Sequence, residues 1–273
     1  MKILRDIIAR LVTAGYDAGE ARAVGLLVLD ECFEVSQTDL YADKVRDFSS
    51  EERQRLEIIL QRLETGEPVQ YCLGTALFDD MKLEVTPATL IPRPETQQLV
   101  NIVAADSPEY VLDIGTGSGC MAISLKRRLP DAHVEAWDIS SEALAVARRN
   151  ALRFAAEVHF RQVDIFSRKR LARRSSLAIV SNPPYVLESE KNVIQQQITR
   201  YEPTLALFVP DNDPLLYYKT IGKLSASVKG NVYFETHKLF AIDVANLMRK
   251  FGYREVNVYK DIFNNNRFVV AKF

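Results

Sequence analysis

Asn182-Pro183-Pro184-Tyr185 carries the residue types of a pocket for a planar amino group. It follows the apolar run Leu177-Ala178-Ile179-Val180, which reads as a buried strand of a parallel sheet stopped by two prolines. Asn182 then lies just beyond a strand's carboxyl end, where open α/β sheets bind their ligands. Proline has no N–H, so the backbone at these two positions offers acceptors and no donors. The Asn182 side-chain carbonyl and the Pro183 backbone carbonyl can together accept both hydrogens of one –NH2 group, and Tyr185 offers a flat face to stack on it. Such a pocket suits an amide or an exocyclic amine whose nitrogen is presented to an electrophile. Taken alone, the tetrapeptide has a second reading, as a proline-rich turn without chemistry.

A second constellation lies upstream. Tyr110-Val111-Leu112-Asp113-Ile114 reads as a strand running into Gly115-Thr116-Gly117-Ser118-Gly119, after which Met121, Ile123, Leu125 and Leu129 mark a helix. Strand, glycine loop and helix form the nucleotide-binding opening of a doubly wound sheet. The spacing is G-x-G-x-G, and Cys120 stands where a dinucleotide loop carries its last glycine. Asp113, two residues before the first glycine, is unwelcome beside a pyrophosphate but suits the ammonium group of a methionine moiety. Its placement favours S-adenosylmethionine (SAM) over NAD.

His133-Val134-Glu135-Ala136-Trp137 reads as the next strand and ends at Asp138, about twenty positions beyond the loop, where an acid accepts hydrogen bonds from ribose hydroxyls. Both cofactors contain ribose, so Asp138 does not separate them. The strand Val158-His159-Phe160-Arg161 ends near Asp164-Ile165-Phe166. Asp164 and the Ile165 N–H can reach the amino group and a ring nitrogen of adenine; an ordinary turn is the alternative for Asp164.

These residues need a sheet to hold them, and the rest of the chain supplies one. From Tyr110 onwards strands and helices alternate. Asn231-Val232-Tyr233-Phe234 gives a fifth strand, Phe240 to Phe251 a helix closed by Gly252, and Val256–Tyr259 and Arg267–Val270 two final strands. Before residue 75 the spacing predicts helices at 2–14, 18–31, 37–44 and 50–65 and no strand, with Gly15 and Gly66 as stops. Between the two lies a small β-hairpin, suggested by alternation from Tyr71 to Leu90. The expected organisation is a helical docking domain over 1–70, a hairpin linker over 71–95 and a cofactor-binding domain over 96–273.

At 273 residues, with 47% hydrophobic and 26% charged side chains, the chain can build one large α/β domain and a smaller one. No apolar run is long enough to span a bilayer, and the first residues read as an amphipathic helix without a cleavable signal. Cys32, Cys72 and Cys120 are odd in number and far apart, and His133, His159 and His237 are scattered. Neither set forms a disulfide framework or a metal-ligand pattern, so no metal and a cytoplasmic location are expected.

The chain resembles the HemK/PrmC protein-glutamine N5-methyltransferases that modify peptide-chain release factors. The resemblance covers nearly its whole length. Besides the glycine loop and Asn182-Pro183-Pro184-Tyr185, it rests on Gly66-Glu67-Pro68-Val69-Gln70-Tyr71-Cys72-Leu73-Gly74, Phe78 and Leu90-Ile91-Pro92-Arg93-Pro94-Glu95-Thr96. Tyr201-Glu202-Pro203, Ala206-Leu207 and Asp261 with Arg267 also match. Three places depart from the family pattern. Gln97 replaces a glutamate, Glu235-Thr236-His237 stands where Glu-Ile-Gly is usual, and the loop at Asp211-Asn212-Asp213-Pro214 lacks a glycine.

The resemblance implies a seven-stranded, class I, Rossmann-like methyltransferase sheet with a small N-terminal helical domain. It implies SAM as cofactor, S-adenosylhomocysteine as product, and methyl transfer to the glutamine of a release factor's Gly-Gly-Gln motif. Asn182, Pro183, Pro184 and Tyr185 are then catalytic and substrate-binding. Asp113, Gly115, Thr116, Gly117, Ser118, Gly119, Asp138, Asp164, Ile165 and Asn182 hold the cofactor. Arg93 and Glu95 order the segment over the active site, or form a structural ion pair in the linker.

Residues 1–75 contain nine Lys/Arg and fourteen Asp/Glu, an awkward surface for DNA phosphates and a reasonable one for a basic protein partner. A monomer without a stable nucleic-acid partner is expected. The basic run Arg168-Lys169-Arg170 with Arg173-Arg174 reads as a solvated loop, with a phosphate contact as the alternative. Three other functions share parts of the pattern. A DNA or RNA amino-methyltransferase would use the same N-P-P-Y chemistry. A NAD-dependent oxidoreductase would leave that motif unexplained. A non-catalytic scaffold would have no need to keep both motifs.

Overall fold

The first unit is built on apolar residues at helical spacing. The computed structural model describes residues 2–42, 44, 46–193 and 196–273. Up to Thr75 it folds as one unit of helices: α1 (Lys2–Thr13), α2 (Ala18–Phe33), α3 (Gln37–Tyr41), α4 (Ser50–Glu64) and α5 (Val69–Leu73). Leu4, Ile7 and Leu11 recur at i, i+3 and i+7 on α1 and are buried against α2, where Gly25 lets the helices approach: a Cβ there would meet Ile7 at 3.1 Å. Asp17 caps α2, and Ser36 and Ser49 open α3 and α4 with capping boxes. The helix expected over 37–44 ends at Tyr41, and Asp43 lies outside the described residues.

The Gly66-to-Gly74 stretch has a structural reading. Arg62 donates to both oxygens of Glu67 at 2.8 and 2.6 Å, and to the Cys72 and Tyr71 carbonyls at 3.2 and 3.0 Å. One guanidinium thus staples the turn after α4 to the carbonyl end of α5, where the Gly74 N–H also donates to the Tyr71 carbonyl at 3.3 Å. Tyr71, read from sequence as the start of the hairpin, is therefore helical. Pro68, which lacks the N–H an interior helix position needs, stands at the N-cap of α5, and the hairpin itself begins later.

The second unit runs from Ala76 to Phe273. Its elements are the hairpin β1 (Thr75–Phe78) and β2 (Met81–Glu84), α6 (Pro94–Ala105), β3 (Tyr110–Ile114), α7 (Cys120–Arg128), β4 (His133–Asp138), α8 (Ser141–Arg153), β5 (Val158–Gln162) and β6 (Leu177–Ser181). Then come β7 (Val186–Leu187), α9 (Gln196–Tyr201), β8 (Phe208–Val209), α10 (Leu216–Ala226), β9 (Asn231–Glu235), α11 (Ala241–Lys250), β10 (Glu255–Lys260) and β11 (Asn266–Lys272). Seven strands form one sheet in the order β10-β11-β9-β6-β3-β4-β5. Only β11 runs antiparallel to its neighbours, inserted as the second arm of a hairpin.

Strand residues alternate between two cores. Val111, Val180 and Tyr233 point to one face, which α6, α7 and the β1–β2 hairpin cover with Leu99, Met121 and Met81. Leu112, Ile179 and Phe234 point to the other, covered by Tyr218 of α10 and Val244 of α11. All five residues of β6 are buried, as a central strand covered on both faces requires, while the edge strand β5 is polar and partly exposed. The chain leaves β3 towards β4 and β5 and later returns beside β3 as β6. Ligand crevices in open sheets form at such a reversal, beyond the carboxyl ends of β3 and β6. No helix among the described residues is long and apolar enough to cross a membrane.

Candidate active site

A cavity of about 490 Å³ opens at that reversal, within the usual range for small-molecule sites. One wall is the glycine loop. Gly115 and Gly117 take left-handed backbone angles (φ 77° and 55°), and a Cβ on either would project into open space. Gly119 serves packing instead: a Cβ there would lie 3.2 Å from that of Ala147, so it seats α7 against α8. The Gly115 and Thr116 N–H groups donate to the Trp137 carbonyl at 2.8 and 3.0 Å, which ties the loop to the end of β4.

Asp138 ends β4 on the cavity wall. Its two oxygens accept the Gly117 and Ser140 N–H groups, each at 2.9 Å. Burial pushes its carboxyl up and these backbone bonds oppose it. Each oxygen keeps a further lone pair, so a vicinal diol can be received there. Asp164 and Ile165 line the next stretch, where the Asp164 carboxylate caps a short turn through the Phe166 N–H at 2.9 Å. Phe166 and Tyr217, also on the wall, pack with ring centroids 5.1 Å apart and present an aromatic surface suited to a flat base.

Asp113 lies behind the loop, fully buried. Its Oδ2 accepts the Thr116 hydroxyl at 2.7 Å, and its Oδ1 makes no hydrogen bond. Burial pushes this carboxyl up to about 7; the Thr116 bond and the Ala122 N–H draw it down, and Asp138 pushes it further up. A buried carboxylate oxygen lacking a donor is costly, and a cationic ligand group nearby would relieve it. The residues present therefore fit a nucleoside carrying a charged amino-acid tail.

The opposite wall is Ser181-Asn182-Pro183-Pro184 at the end of β6. The Ser181 hydroxyl donates to the Ile114 carbonyl at 2.6 Å, joining the ends of β6 and β3. The Asn182 amide donates through Nδ2 to Thr96 Oγ1 at 3.3 Å, and Thr96 donates to the buried Glu235 at 2.7 Å. Tyr185 turns its hydroxyl to the other Glu235 oxygen at 3.4 Å. Burial beside Glu235 raises the Tyr185 phenol above its ordinary value, so it stays protonated and donating.

Pro87 to Leu90 and Pro203, Leu205 and Ala206 also line the cavity. Behind them Arg93 donates to Glu202 Oε1 at 2.6 Å, and the Ile91 N–H reaches Glu202 Oε2 at 3.3 Å. The ion pair thus ties the two lining segments together from outside.

The family model for the PrmC N-terminal domain matches residues 2–74, and that for the methyltransferase small domain matches residues 94–207. The release factor glutamine methyltransferase of Bacteroides thetaiotaomicron is 43% identical over 94% of this chain and 94% of its own. That of Flavobacterium psychrophilum is 34% identical, covering 100% of this chain and 99% of its own.

The chain belongs to the release factor glutamine methyltransferase family.

Solved structures show the same fold at low identity. The hMettl16 catalytic domain in complex with MAT2A 3'UTR hairpin 6 aligns with a TM-score of 0.55 at 16% identity, over 84% of this chain and 83% of its own. A Pyrococcus furiosus methyltransferase aligns at 0.52 and 17%, over 82% of this chain and 98% of its own.

Of the residues singled out from sequence, Gly115, Gly117, Asp138, Asp164, Ile165, Asn182, Pro183 and Pro184 share the cavity wall. Asp113, Thr116, Ser118 and Gly119 stand outside its lining, shaping the loop from behind; the Ser118 carbonyl, for one, takes an Asn150 hydrogen bond at 2.9 Å. Tyr185, Arg93 and Glu95 are also outside the lining. Sequence reasoning missed the Phe166–Tyr217 pair and the link from Asn182 through Thr96 to Glu235. Gln97 donates to Asp79 at 2.9 Å, a contact at which a glutamate would face a like charge. Arg168 of the basic run lies over the Trp137 ring, 5.2 Å from its centroid, and Arg174 over Tyr110 at 5.4 Å. At least these two basic groups are engaged by the fold.

Proposed function

We propose that this protein transfers a methyl group from SAM to the side-chain amide nitrogen of the glutamine in the Gly-Gly-Gln motif of peptide-chain release factors. The observation that carries the reading is Asn182-Pro183 facing the same cavity as the glycine loop and Asp138, in a chain of this family. SAM, when bound, supplies a methyl on a sulfonium and therefore already electrophilic.

The chain's own residues do the rest. Asp138 receives the ribose hydroxyls, Asp164 and Ile165 the adenine edge, and Phe166 and Tyr217 its face. Asp113 attracts the ammonium group from behind the glycine loop. An amide nitrogen is a poor nucleophile because its lone pair is delocalised into the carbonyl. Asn182 Oδ1 and the Pro183 carbonyl accept its two hydrogens, which keeps electron density on nitrogen and orients it. Catalysis then comes from positioning and preorganised electrostatics: the nitrogen gains the methyl as the methyl–sulfur bond breaks to leave S-adenosylhomocysteine, and it loses one proton to solvent during or after the transfer. The acidic helical unit, with fourteen Asp/Glu against nine Lys/Arg in residues 1–75, suits docking of a basic protein surface. The reaction belongs to the cytoplasm, where translation ends, and the chain works on its protein substrate without a stable nucleic-acid partner.

Mass spectrometry of a bacterial release factor incubated with this protein and SAM tests the assignment. One added methyl on the Gly-Gly-Gln glutamine is expected. Methyl transfer to DNA or RNA with none to that glutamine would overturn the substrate and keep the site.

A further inference from the structure

We propose that Thr96 and Glu235 are positioning residues that fix which way the Asn182 amide faces, holding its oxygen towards the substrate nitrogen. The inference rests on Asn182 being the acceptor for the substrate amide. An asparagine amide has a donor end and an acceptor end of nearly the same shape, so shape alone does not choose between its two orientations. Only the hydrogen-bond partners choose.

Thr96 stands in the first turn of α6, 3% exposed, and Glu235 ends β9, 1% exposed. A hydroxyl has one hydrogen to give, and an ionised carboxylate only accepts. The Thr96 hydrogen therefore goes to Glu235 Oε2 at 2.7 Å, and Thr96 turns a lone pair to Asn182. Only the Nδ2 end of Asn182 can meet a lone pair, and it does so at 3.3 Å. Oδ1 is then the end left for the substrate. The reversed amide would set Oδ1 against the Thr96 lone pair where water cannot intervene, and its –NH2 would repel the substrate's own –NH2.

Glu235 must remain an acceptor for this to hold. Both of its oxygens accept hydroxyls, from Thr96 and from Tyr185; burial pushes its carboxyl up and the Glu95 charge adds to this, while the Thr96 bond and Arg267 draw it down. Three segments far apart in sequence thus converge on one torsional choice at Asn182.

The test compares Thr96→Val, Thr96→Ala and Thr96→Ser with Asn182→Ala in the full-length protein. The readouts are kcat and KM with a release factor, the SAM dissociation constant by calorimetry, and melting temperature. Thr96→Val should lose kcat by roughly tenfold or more, the worth of leaving a buried polar group wrongly paired. Its SAM affinity and its KM should stay close to wild type. Thr96→Ser, which keeps the hydroxyl, should recover most of the loss. Should the valine variant melt below the assay temperature, the alanine–serine pair carries the same comparison. Wild-type kcat in folded Thr96→Val or Thr96→Ala, with Asn182→Ala inactive, would overturn the relay and leave the role of Asn182 standing. An active Asn182→Ala would remove the reading on which the relay depends. A serine variant as slow as alanine would assign the loss to packing and overturn the relay as well.

Discussion

Ser181 Oγ donates to the Ile114 carbonyl across 2.6 Å, bonding the last residue of β6 to the last residue of β3. The backbone pairing of these strands extends only to Asp113 opposite Val180. The side chain therefore adds one more rung, beyond the ladder and at the point where the cavity begins. Both residues line that cavity, so the bond sets the separation between the glycine loop and Asn182. Ser181→Ala leaves the Ile114 carbonyl buried without this donor, which costs about 1–2 kcal/mol. A fall in melting temperature of about 2–4 °C should accompany weaker SAM binding by calorimetry. Unchanged SAM affinity in this variant would mean that the strand ends keep their spacing without the bond.

Asn182→Ala separates chemistry from cofactor binding. The substitution removes the side-chain acceptor and touches neither Asp138 nor the glycine loop. Transfer to the release factor should drop by at least about 100-fold, in line with removal of a preorganised electrostatic partner. SAM affinity should change little. Near-normal turnover would sink the assignment of Asn182 as the acceptor of the substrate amide.

How much of this was readable without coordinates depends on how local each feature is. Strands such as β3 and β6 were legible because each is a short apolar run ended by a glycine loop or by prolines, and the helical unit because Leu4, Ile7 and Leu11 keep helical spacing. The wall formed by Gly115, Gly117, Asp138 and Asn182 was legible because each stands at or just beyond the carboxyl end of β3, β4 or β6, and the sheet order brings those strand ends together. Thr96 and Glu235 were not, because their bond joins residues 139 apart in sequence, and nothing near either one announces it. Phe166 and Tyr217 are hidden in the same way. Arg93 looked as much like a linker ion pair as a lid element. Its partner in the fold is Glu202, 109 residues away, which no local pattern in the sequence names.

Asp138→Ala should weaken SAM binding without removing the chemical step. The carboxylate braces the glycine loop through the Gly117 N–H at 2.9 Å and leaves lone pairs for the ribose hydroxyls. Losing bonds to a charged acceptor should raise the dissociation constant by roughly ten- to a hundredfold, with kcat at saturating SAM much less affected. Calorimetry and a saturation series read the two effects separately. An equal loss of kcat at saturating SAM would mean that Asp138 acts in the transfer itself.

Asp113 ties stability to function with a sign that pH can read. Burial raises its carboxyl from an ordinary 3.8 to about 7 in the fold. A group raised in this way favours the fold below its unfolded value, and that contribution is lost as pH climbs through the folded one. Between about pH 4 and pH 7 the ligand-free protein should therefore lose stability on this account, on the order of 2–4 kcal/mol. Asp113→Asn keeps the shape and cannot ionise, so its melting temperature relative to wild type should rise from pH 5 to about pH 7 and level off above that. The same variant should bind SAM more weakly, because the charge that destabilises the empty fold is the one proposed to attract the ammonium group. Parallel melting curves for the two proteins across that range would show that Asp113 does not titrate there. A more stable variant with undiminished SAM affinity would separate the buried charge from cofactor recognition.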